Sequence, residues 1–137
     1  MRGEVETEAF AHWRFFSLLR QQLAKALAPL ELAPREFFLL SMVRERACPQ
    51  RELAKTCGLD PSSMVPVVDA LERRGWIERK RDARDRRVHL ITLSPAGKRL
   101  HTRARRRARQ MEKEQLQRLS DTERAQLSEL LRKLMDA

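Results

Sequence analysis

The sequence has few of the features that mark secreted or membrane proteins. It contains two cysteines among 137 residues, Cys48 and Cys57, which are too few for a disulfide framework and match no zinc-ligand spacing. No apolar run approaches the roughly 20 residues that a membrane-spanning helix needs, and charged residues interrupt the N-terminal region where a signal peptide would be apolar. We therefore expect a cytoplasmic protein without a membrane anchor.

Catalytic signatures are missing as well. The chain lacks tyrosine, a glycine-rich phosphate loop and a nucleophile-elbow motif, and its three histidines, His12, His89 and His101, are scattered. These absences predict that the protein is not an enzyme, and that it has no catalytic residues, no metal site and no bound cofactor.

Glycine and proline are scarce, with four and six residues, while 42% of the chain is apolar and 35% is charged. This composition is typical of helix-rich globular proteins rather than of disordered or fibrous chains. The length suits one domain with a modest core. We expect a single subunit over residues 1–137, mainly α-helical with little sheet.

Positive charge is concentrated in the middle of the chain. Residues 1–36 carry five basic and five acidic side chains, residues 37–118 carry 21 and 10, and residues 119–137 carry three and four. The net charge of +10 therefore comes from the central segment. This distribution is typical of a polyanion-binding module between uncharged packing helices, although general basicity of an arginine-rich proteome is an alternative.

Apolar residues spaced three or four apart predict two helices in the first third of the chain. The first runs from about Glu6 to Leu27 and places Phe10, Trp13 and Phe16 on one face. The second begins near Pro34, which suits a first-turn position, and ends at about Arg46.

A helix-turn-helix is predicted next. A short helix at residues 51–55 is stopped by Gly58, and Asp60-Pro61 supplies an N-cap and a first-turn proline for a second helix. In that second helix one stripe is expected to be buried, consisting of Met64, Val67, Val68 and Leu71. The opposite face is expected to point outward with Ser62, Pro66, Asp69 and Arg73.

A hairpin and two further helices complete the pattern. Residues 76–81 and 88–93 read as strands on either side of a charged tip at residues 82–87. Ser94-Pro95 begins a long basic helix, and Ser120 with Glu123 forms a capping box for the last one. That last helix has an apolar stripe which needs a partner surface, formed by Leu127, Leu130, Leu131 and Leu134.

Two short helices followed by a basic hairpin make a winged helix-turn-helix. In this arrangement the second helix, called the recognition helix, enters the major groove of DNA, where each base pair shows a distinct donor and acceptor pattern. The hairpin, called the wing, lies beside it. The narrower minor groove attracts arginine through its negative potential. The predicted partner is therefore double-stranded DNA.

Several short motifs together resemble the MarR family of bacterial regulators. They are Glu52-Leu53-Ala54, Leu59-Asp60-Pro61-Ser62, Val68-Asp69-Ala70-Leu71-Glu72-Arg73-Arg74-Gly75, Glu78-Arg79, Asp85-Arg86-Arg87 and Leu93-Ser94-Pro95-Ala96-Gly97. The resemblance spans about residues 10–135. It implies a six-helix subunit with a DNA-binding region at residues 34–93, and helical regions at residues 1–33 and 94–137 that form a homodimer.

The resemblance also implies a function. Members of the family usually bind a palindromic operator, repress nearby genes, and release DNA when they bind a small aromatic or anionic effector or when a cysteine is oxidised. We therefore expect a ligand-responsive repressor.

The expected DNA contacts come from the second helix and the wing. They are Ser62, Ser63, Val65, Pro66, Arg73, Arg84, Arg86 and Arg87. Several family members place an arginine where this chain has Pro66, so direct base readout falls to Ser62, Ser63 and Val65. Pro66 should also bend the helix, unless it only shapes the helix start. Asp85 is interpreted as a partner that orients a neighbouring arginine, since a carboxylate repels phosphate.

Two other groups of residues can be interpreted either as functional or as ordinary structural residues. Trp13, Phe16 and Met42 are candidates for an effector pocket, although apolar residues at helical spacing also form ordinary core. The arginine-rich run at residues 103–109 could contact phosphate, but such a run more often faces solvent.

Two alternative functions remain open from the sequence. One is a redox-sensing regulator that uses Cys48 or Cys57. The other is a nucleoid-type protein that binds DNA without sequence preference, for which a net charge of +10 would suffice.

Overall fold

The computed structural model describes residues 7–136. Over these residues the chain forms six α-helices, a short 3₁₀ turn at Ala28–Leu30 and a three-stranded sheet. The helices are α1 (Glu8–Leu27), α2 (Pro34–Glu45), α3 (Gln50–Thr56), α4 (Pro61–Arg73), α5 (Pro95–Gln115) and α6 (Asp121–Met135). The strands are β1 (Cys48–Pro49), β2 (Ile77–Arg81) and β3 (His89–Leu93).

Polar caps fix where the helices begin. The side chains of Thr7, Asp60, Ser94 and Ser120 each accept a hydrogen bond from a backbone N–H in the first turn of α1, α4, α5 and α6. The capping box predicted at Ser120 and Glu123 is confirmed. The first helix begins at Glu8 after its cap, and the Glu6 at which it was predicted to start lies outside the described residues.

The sheet has the order β1-β3-β2 and is antiparallel throughout. The predicted hairpin is confirmed as β2 and β3, each one residue shorter at its start than expected, with Ile77 paired to Leu93. Strand β1 was not predicted. It pairs only Cys48 with Ile91 and Pro49 with Leu90, and a two-residue strand has no alternation that a sequence pattern could reveal.

The core joins the helix-turn-helix to the end of α1, to α2 and to α5 as far as Met111. Its fully buried large side chains are Leu27, Leu39, Leu40, Leu53, Met64, Val68, Leu71 and Ile91. The stripe predicted on α4 faces this core, with Val67 half-buried and the other three members fully buried. Burying a side chain of this size contributes about 1.5–3 kcal/mol, so this stripe holds α4 against the rest of the fold.

Apolar faces of α1 and α6 are left uncovered. Helix α6 has no buried residue, and the N-terminal half of α1 carries aromatic rings on its surface. The exposed large side chains on these two helices are Phe10, Trp13, Phe15, Phe16, Leu18, Leu130, Leu131, Leu134 and Met135. Patches of this kind usually mark an interaction surface.

The architecture is mainly α-helical with a small β wing, as predicted. Within the described part of the chain, every helix is too short or too polar to cross a bilayer.

Candidate DNA-binding interface

The first turn of α4 is organised by Asp60. One carboxylate oxygen, Oδ1, accepts from the Ser63 N–H at 2.9 Å and from the Ser62 hydroxyl at 2.8 Å, and Oδ2 accepts from the Ser63 hydroxyl at 3.0 Å. These hydrogen bonds, led by the one from the Ser63 backbone, hold the pKa of Asp60 below its usual value. Both serines are exposed. Because their hydroxyl protons point at Asp60, their oxygens can act toward solvent only as hydrogen-bond acceptors.

Three other exposed residues of α4 were predicted from the sequence as DNA contacts. Val65 is 42% exposed, and Pro66 and Arg73 are exposed as well. The helix continues through Pro66 to Arg73. Val65 offers methyl groups of the kind that contact thymine, whereas Pro66 offers no donor.

Asp69 keeps a side chain that is 44% exposed, as its predicted outward position implies, but it also has a partner on another element. It is half-buried, and its Oδ1 accepts from Arg79 Nη2 of β2 at 2.5 Å, while Glu72 lies 3.8 Å from Arg79 Nε. Arg79 thus ties α4 to the wing. This role of Arg79 could not be predicted from a local pattern, because Asp69 is on a different element and ten residues away.

The wing tip is built by two aspartates. Asp82 accepts from the Arg84 N–H at 2.9 Å, and the Asp82 N–H donates to the Val88 carbonyl at 2.9 Å. Asp85 accepts from Arg87 Nε at 3.1 Å and Nη2 at 3.3 Å. This two-point contact with the Arg87 side chain is the main cause that lowers the pKa of Asp85. The predicted role of Asp85 as an orienting partner matches this geometry.

Arg84, Arg86 and Arg87 are all exposed at the wing. The Arg87 side chain is 91% exposed even though Asp85 holds it. A surface ion pair of this kind adds little stability, so its structural effect is to restrict where the guanidinium points.

The recognition helix and the wing meet at a cleft of about 240 Å³. Its lining includes Pro61 and Val65 of α4, Arg87 and Val88 of the wing, and Arg51 of α3. One surface thus presents a helix sized for the major groove next to an arginine-bearing hairpin.

The arginine-rich run on α5 mostly faces solvent. Ala104 and Ala108 are buried, and the arginines between and beside them are exposed. One of these, Arg107, donates from Nε to the Ala26 carbonyl at 2.5 Å and so helps to satisfy the end of α1.

The three candidate effector residues lie on two different helices. Trp13 and Phe16 are exposed on α1, at 62% and 61%, and Met42 is half-buried against the core on α2. Neither the cleft at the wing nor a cavity of about 420 Å³ lined by Arg44, Lys98, Arg99 and Thr102 includes any of them.

Both cysteines are shielded thiols. Cys48 is buried and its S–H contacts the Arg46 carbonyl at 3.4 Å, while Cys57 is half-buried near the turn before α4. Burial raises the pKa of each thiol above its usual value. Because the thiolate is the reactive form, neither side chain has the environment of an activated cysteine.

His101 is the buried histidine of the fold. The Ser41 hydroxyl donates to the Phe37 carbonyl at 2.8 Å, so His101 Nε2 must donate to Ser41 Oγ at 2.9 Å, and Nδ1 is left buried without a partner. Burial lowers the pKa of His101, and Arg44 and Arg105 add to the effect. Across residues 7–136, no three His, Cys, Asp or Glu side chains come together as metal ligands would.

These features define a winged-helix DNA-binding protein. The sequence profile of the MarR family matches residues 32–89, which cover the helix-turn-helix and most of the wing. The multiple antibiotic resistance protein MarR of Salmonella typhimurium is 31% identical over 111 residues, which cover 80% of this chain and 77% of that protein. A shorter match, 34% identical over 79 residues and 57% of each chain, is to YwhA of Bacillus subtilis, an HTH-type transcriptional regulator. The chain belongs to the MarR family of transcriptional regulators.

Solved structures extend the likeness over the whole fold. A MarR-family regulator from Rhodococcus sp. RHA1 has a TM-score of 0.89 at 30% identity, covering 98% of this chain and 96% of that one. The repressor CouR bound to a 23-mer DNA duplex has a TM-score of 0.90 at 28% identity, covering 98% and 97%. CouR from Rhodococcus jostii RHA1 bound to p-coumaroyl-CoA has a TM-score of 0.86 at 32% identity, covering 98% and 95%. The chain is thus a DNA-binding regulator of transcription, and its relatives are regulators rather than enzymes.

Proposed function

We propose that the protein is a cytoplasmic, ligand-responsive repressor that binds a palindromic operator as a homodimer. The observation that carries this proposal is the shared surface of α4 and the wing, where Val65 and Arg87 line one cleft. Residues 34–93 form the DNA-binding region in this proposal. The reading residues are Ser62, Ser63, Val65, Pro66 and Arg73 on α4, and Arg84, Arg86 and Arg87 on the wing.

The helical regions at residues 1–33 and 94–137 form the dimer. The support is the exposed apolar surface on α1 and α6, which a second copy would cover. Two subunits related by a two-fold axis present two copies of α4, and these fit half-sites about one helical turn apart.

Repression and its release rest on the relatives. CouR is a repressor seen both with a DNA duplex and with p-coumaroyl-CoA, an acyl thioester that is aromatic and anionic. We infer a small aromatic or anionic effector for this chain. Its candidate contacts are Trp13 and Phe16 on the exposed face of α1 and Met42 on α2, which the second subunit would enclose.

Thiol oxidation is the weaker alternative for regulation, because both cysteines have raised pKa values. Peroxide treatment of the wild type, with and without reductant, should leave operator affinity unchanged. Redox sensing would be established instead if peroxide lowered operator affinity, if the reductant restored that affinity, and if the Cys48→Ser or Cys57→Ser variant no longer responded to peroxide.

One experiment separates this proposal from the nucleoid-type alternative, which binds DNA without sequence preference. Bound duplexes are selected from a random pool, and the selected site is then footprinted. A repressor of this design enriches an inverted repeat and protects it as one discrete block. Enrichment of no common sequence, with protection that spreads along the duplex, would favour the nucleoid-type function.

A further inference from the structure

Arg74 follows the last residue of α4 and contacts two other parts of the fold as well as its own turn. Its guanidinium carbon lies 3.6 Å from the centroid of the Trp76 ring. Its Nη2 donates to the Glu31 carbonyl at 2.5 Å, and its Nη1 lies 3.6 Å from Glu36 Oε2. One side chain thus joins the end of the recognition helix to two residues that precede it by about forty positions.

Those two residues lie at the corner between α1 and α2. Glu31 directly follows the 3₁₀ turn and has a φ of 53°, a left-handed conformation that non-glycine residues rarely adopt. Glu36 lies in the first turn of α2 and accepts from the Ala33 N–H at 2.8 Å. Arg74 therefore binds a corner whose backbone is itself fixed.

The turn after Arg74 is fixed from the other side by α5. Ser94, the N-cap of α5, donates from its hydroxyl to the Gly75 carbonyl at 2.5 Å and from its N–H to the Trp76 carbonyl at 3.1 Å. Gly97 lies so close that a Cβ there would overlap the Trp76 carbonyl. The end of α4 is thus held between the α1–α2 corner and the start of α5.

We propose that Arg74 is a positioning residue that fixes α4 relative to the helices leading to the dimer, and so sets the spacing of half-sites that the protein accepts. The inference rests on the proposed function, because spacing has meaning only for a dimer on an inverted repeat. A rotation at this joint acts on both copies of α4 across a two-fold axis, so it changes the separation of the two recognition helices.

Arginine suits this position for a chemical reason. Its planar guanidinium stacks on an aromatic face and donates from its edge at the same time, whereas a lysine ammonium offers charge without a plane. The Arg74→Lys variant therefore keeps the charge near Glu36 and loses the combined stacking and hydrogen-bond geometry. It separates charge from positioning.

The experiment measures spacing preference rather than affinity alone. The probes are the selected operator, the same operator with one or two base pairs added or removed between its half-sites, and an operator with one half-site scrambled. The proteins are the wild type, Arg74→Ala, Arg74→Lys, and Arg109→Ala as a control that removes one exposed charge from α5. All binding is measured at one salt concentration, since phosphate contacts make affinity salt-dependent.

We expect the wild type and Arg109→Ala to prefer the native spacing by at least about tenfold, a difference of about 1.4 kcal/mol. Arg74→Ala should reduce that preference to less than about threefold while it changes affinity for the single half-site by less than about threefold. Arg74→Lys should fall between them.

The inference is overturned if both Arg74 variants keep the wild-type spacing preference, or if they lose affinity for every probe equally, which would indicate a purely structural role. If circular dichroism shows that Arg74→Ala does not fold, the spacing preferences of Arg74→Lys and Trp76→Leu are compared with that of the wild type instead. Trp76→Leu removes the stacking surface. A wild type without any spacing preference would overturn the proposed function and this inference together. Unchanged preference in the variants alone leaves the proposed function standing.

Discussion

The hydroxyl of Ser63 donates a hydrogen bond to Oδ2 of Asp60 at 3.0 Å, so this side chain faces outward from α4 as an acceptor. Ser62 is in the same state, since its hydroxyl donates to Oδ1 of Asp60 at 2.8 Å. In the major groove, adenine and cytosine present amino groups that donate, whereas guanine and thymine present carbonyl acceptors. The first turn of α4 should therefore prefer adenine or cytosine.

Asp60→Asn tests this preference with a change of one atom. The asparagine carbonyl can still cap the helix, but its amide group donates, which releases a serine proton toward the groove. At one position of the selected operator, we expect preference to move from adenine or cytosine toward guanine or thymine, by about 1–3 kcal/mol. Selection from a random pool with both proteins checks this. An unchanged base profile in a folded variant would contradict it.

The wing arginines should supply a large share of the affinity, because Pro66 replaces a possible arginine reader on α4. Arg86→Ala and Arg87→Ala are each expected to weaken operator binding by about 1–3 kcal/mol, measured by titration of labelled duplex. Arg84→Ala is the comparison for loss of charge at the same tip, and Ser63→Ala should mainly relax preference at one base position. Equal losses of a few tenths of a kcal/mol for all three arginines would mean that the wing contributes only diffuse charge.

Dimerisation should depend on the apolar face of α6. The wild type should sediment at about 32 kDa, twice the subunit mass of 16.1 kDa, at micromolar concentration. Leu131→Glu places a charge on that face, where Leu131 is 48% exposed, and should yield monomers that lose operator affinity. Gln126→Glu, at another exposed position of α6, adds the same charge and serves as control. A monomeric wild type would contradict the dimer.

Stability should fall on mild acidification because of His101. Burial lowers the pKa of His101 in the folded state below the usual 6.5, with Arg44 and Arg105 opposing protonation and Glu45 favouring it. The unfolded chain then binds more protons, so stability present above pH 6.5 is lost as the pH falls through the folded-state pKa. Urea unfolding at pH values from about 7.5 to about 5, the range in which histidine titrates, should show that the free energy of unfolding declines.

His101→Phe is the matched variant for the pH effect. It can keep the stacking on Phe37, whose ring centroid lies 5.6 Å from that of His101, but it does not titrate. We expect a lower stability at neutral pH, since the Ser41 hydrogen bond is lost, and a flatter pH dependence in the same range. A slope equal to that of the wild type would assign the effect to other groups.

Gly97→Ala should destabilise the fold by about 1–3 kcal/mol, although alanine normally favours a helix. The new Cβ would overlap the Trp76 carbonyl, which is backbone and cannot rotate away. Ser128→Ala, at an exposed position of α6, tests the ordinary effect of alanine and should be near neutral. Chemical denaturation of both variants decides the point.

Local signals explain what the sequence could predict. The caps at Asp60, Ser94 and Ser120 act within one helical turn, and the apolar stripe on α4 repeats at the helical period, so helix positions and the wing followed from neighbouring residues. Asp85 and Arg87 are two residues apart, and their contact was predictable for the same reason.

Contacts between distant elements were not predictable in this way. Arg79 with Asp69, and Arg74 with Glu31, join residues whose proximity depends on how α2, α4 and the sheet pack. The sequence analysis therefore did not predict the ion pair of Asp69, and it missed strand β1, which is two residues long and pairs with residues more than forty positions away. The dimer, the effector contacts and the DNA-contact residues stay predictions.

The close approach of Gly97 to the Trp76 carbonyl has a consequence for how this regulator could diversify. The contact of Gly97 with Trp76 depends on backbone atoms and on the absence of a side chain, and Arg74 lies after the last residue of α4, so changes on the exposed face of α4 alter neither. The residues that read bases are therefore different from the residues that hold α4 in position. A lineage could acquire new operators by replacing Ser62, Ser63 or Val65 one at a time, and each intermediate would inherit the same geometry.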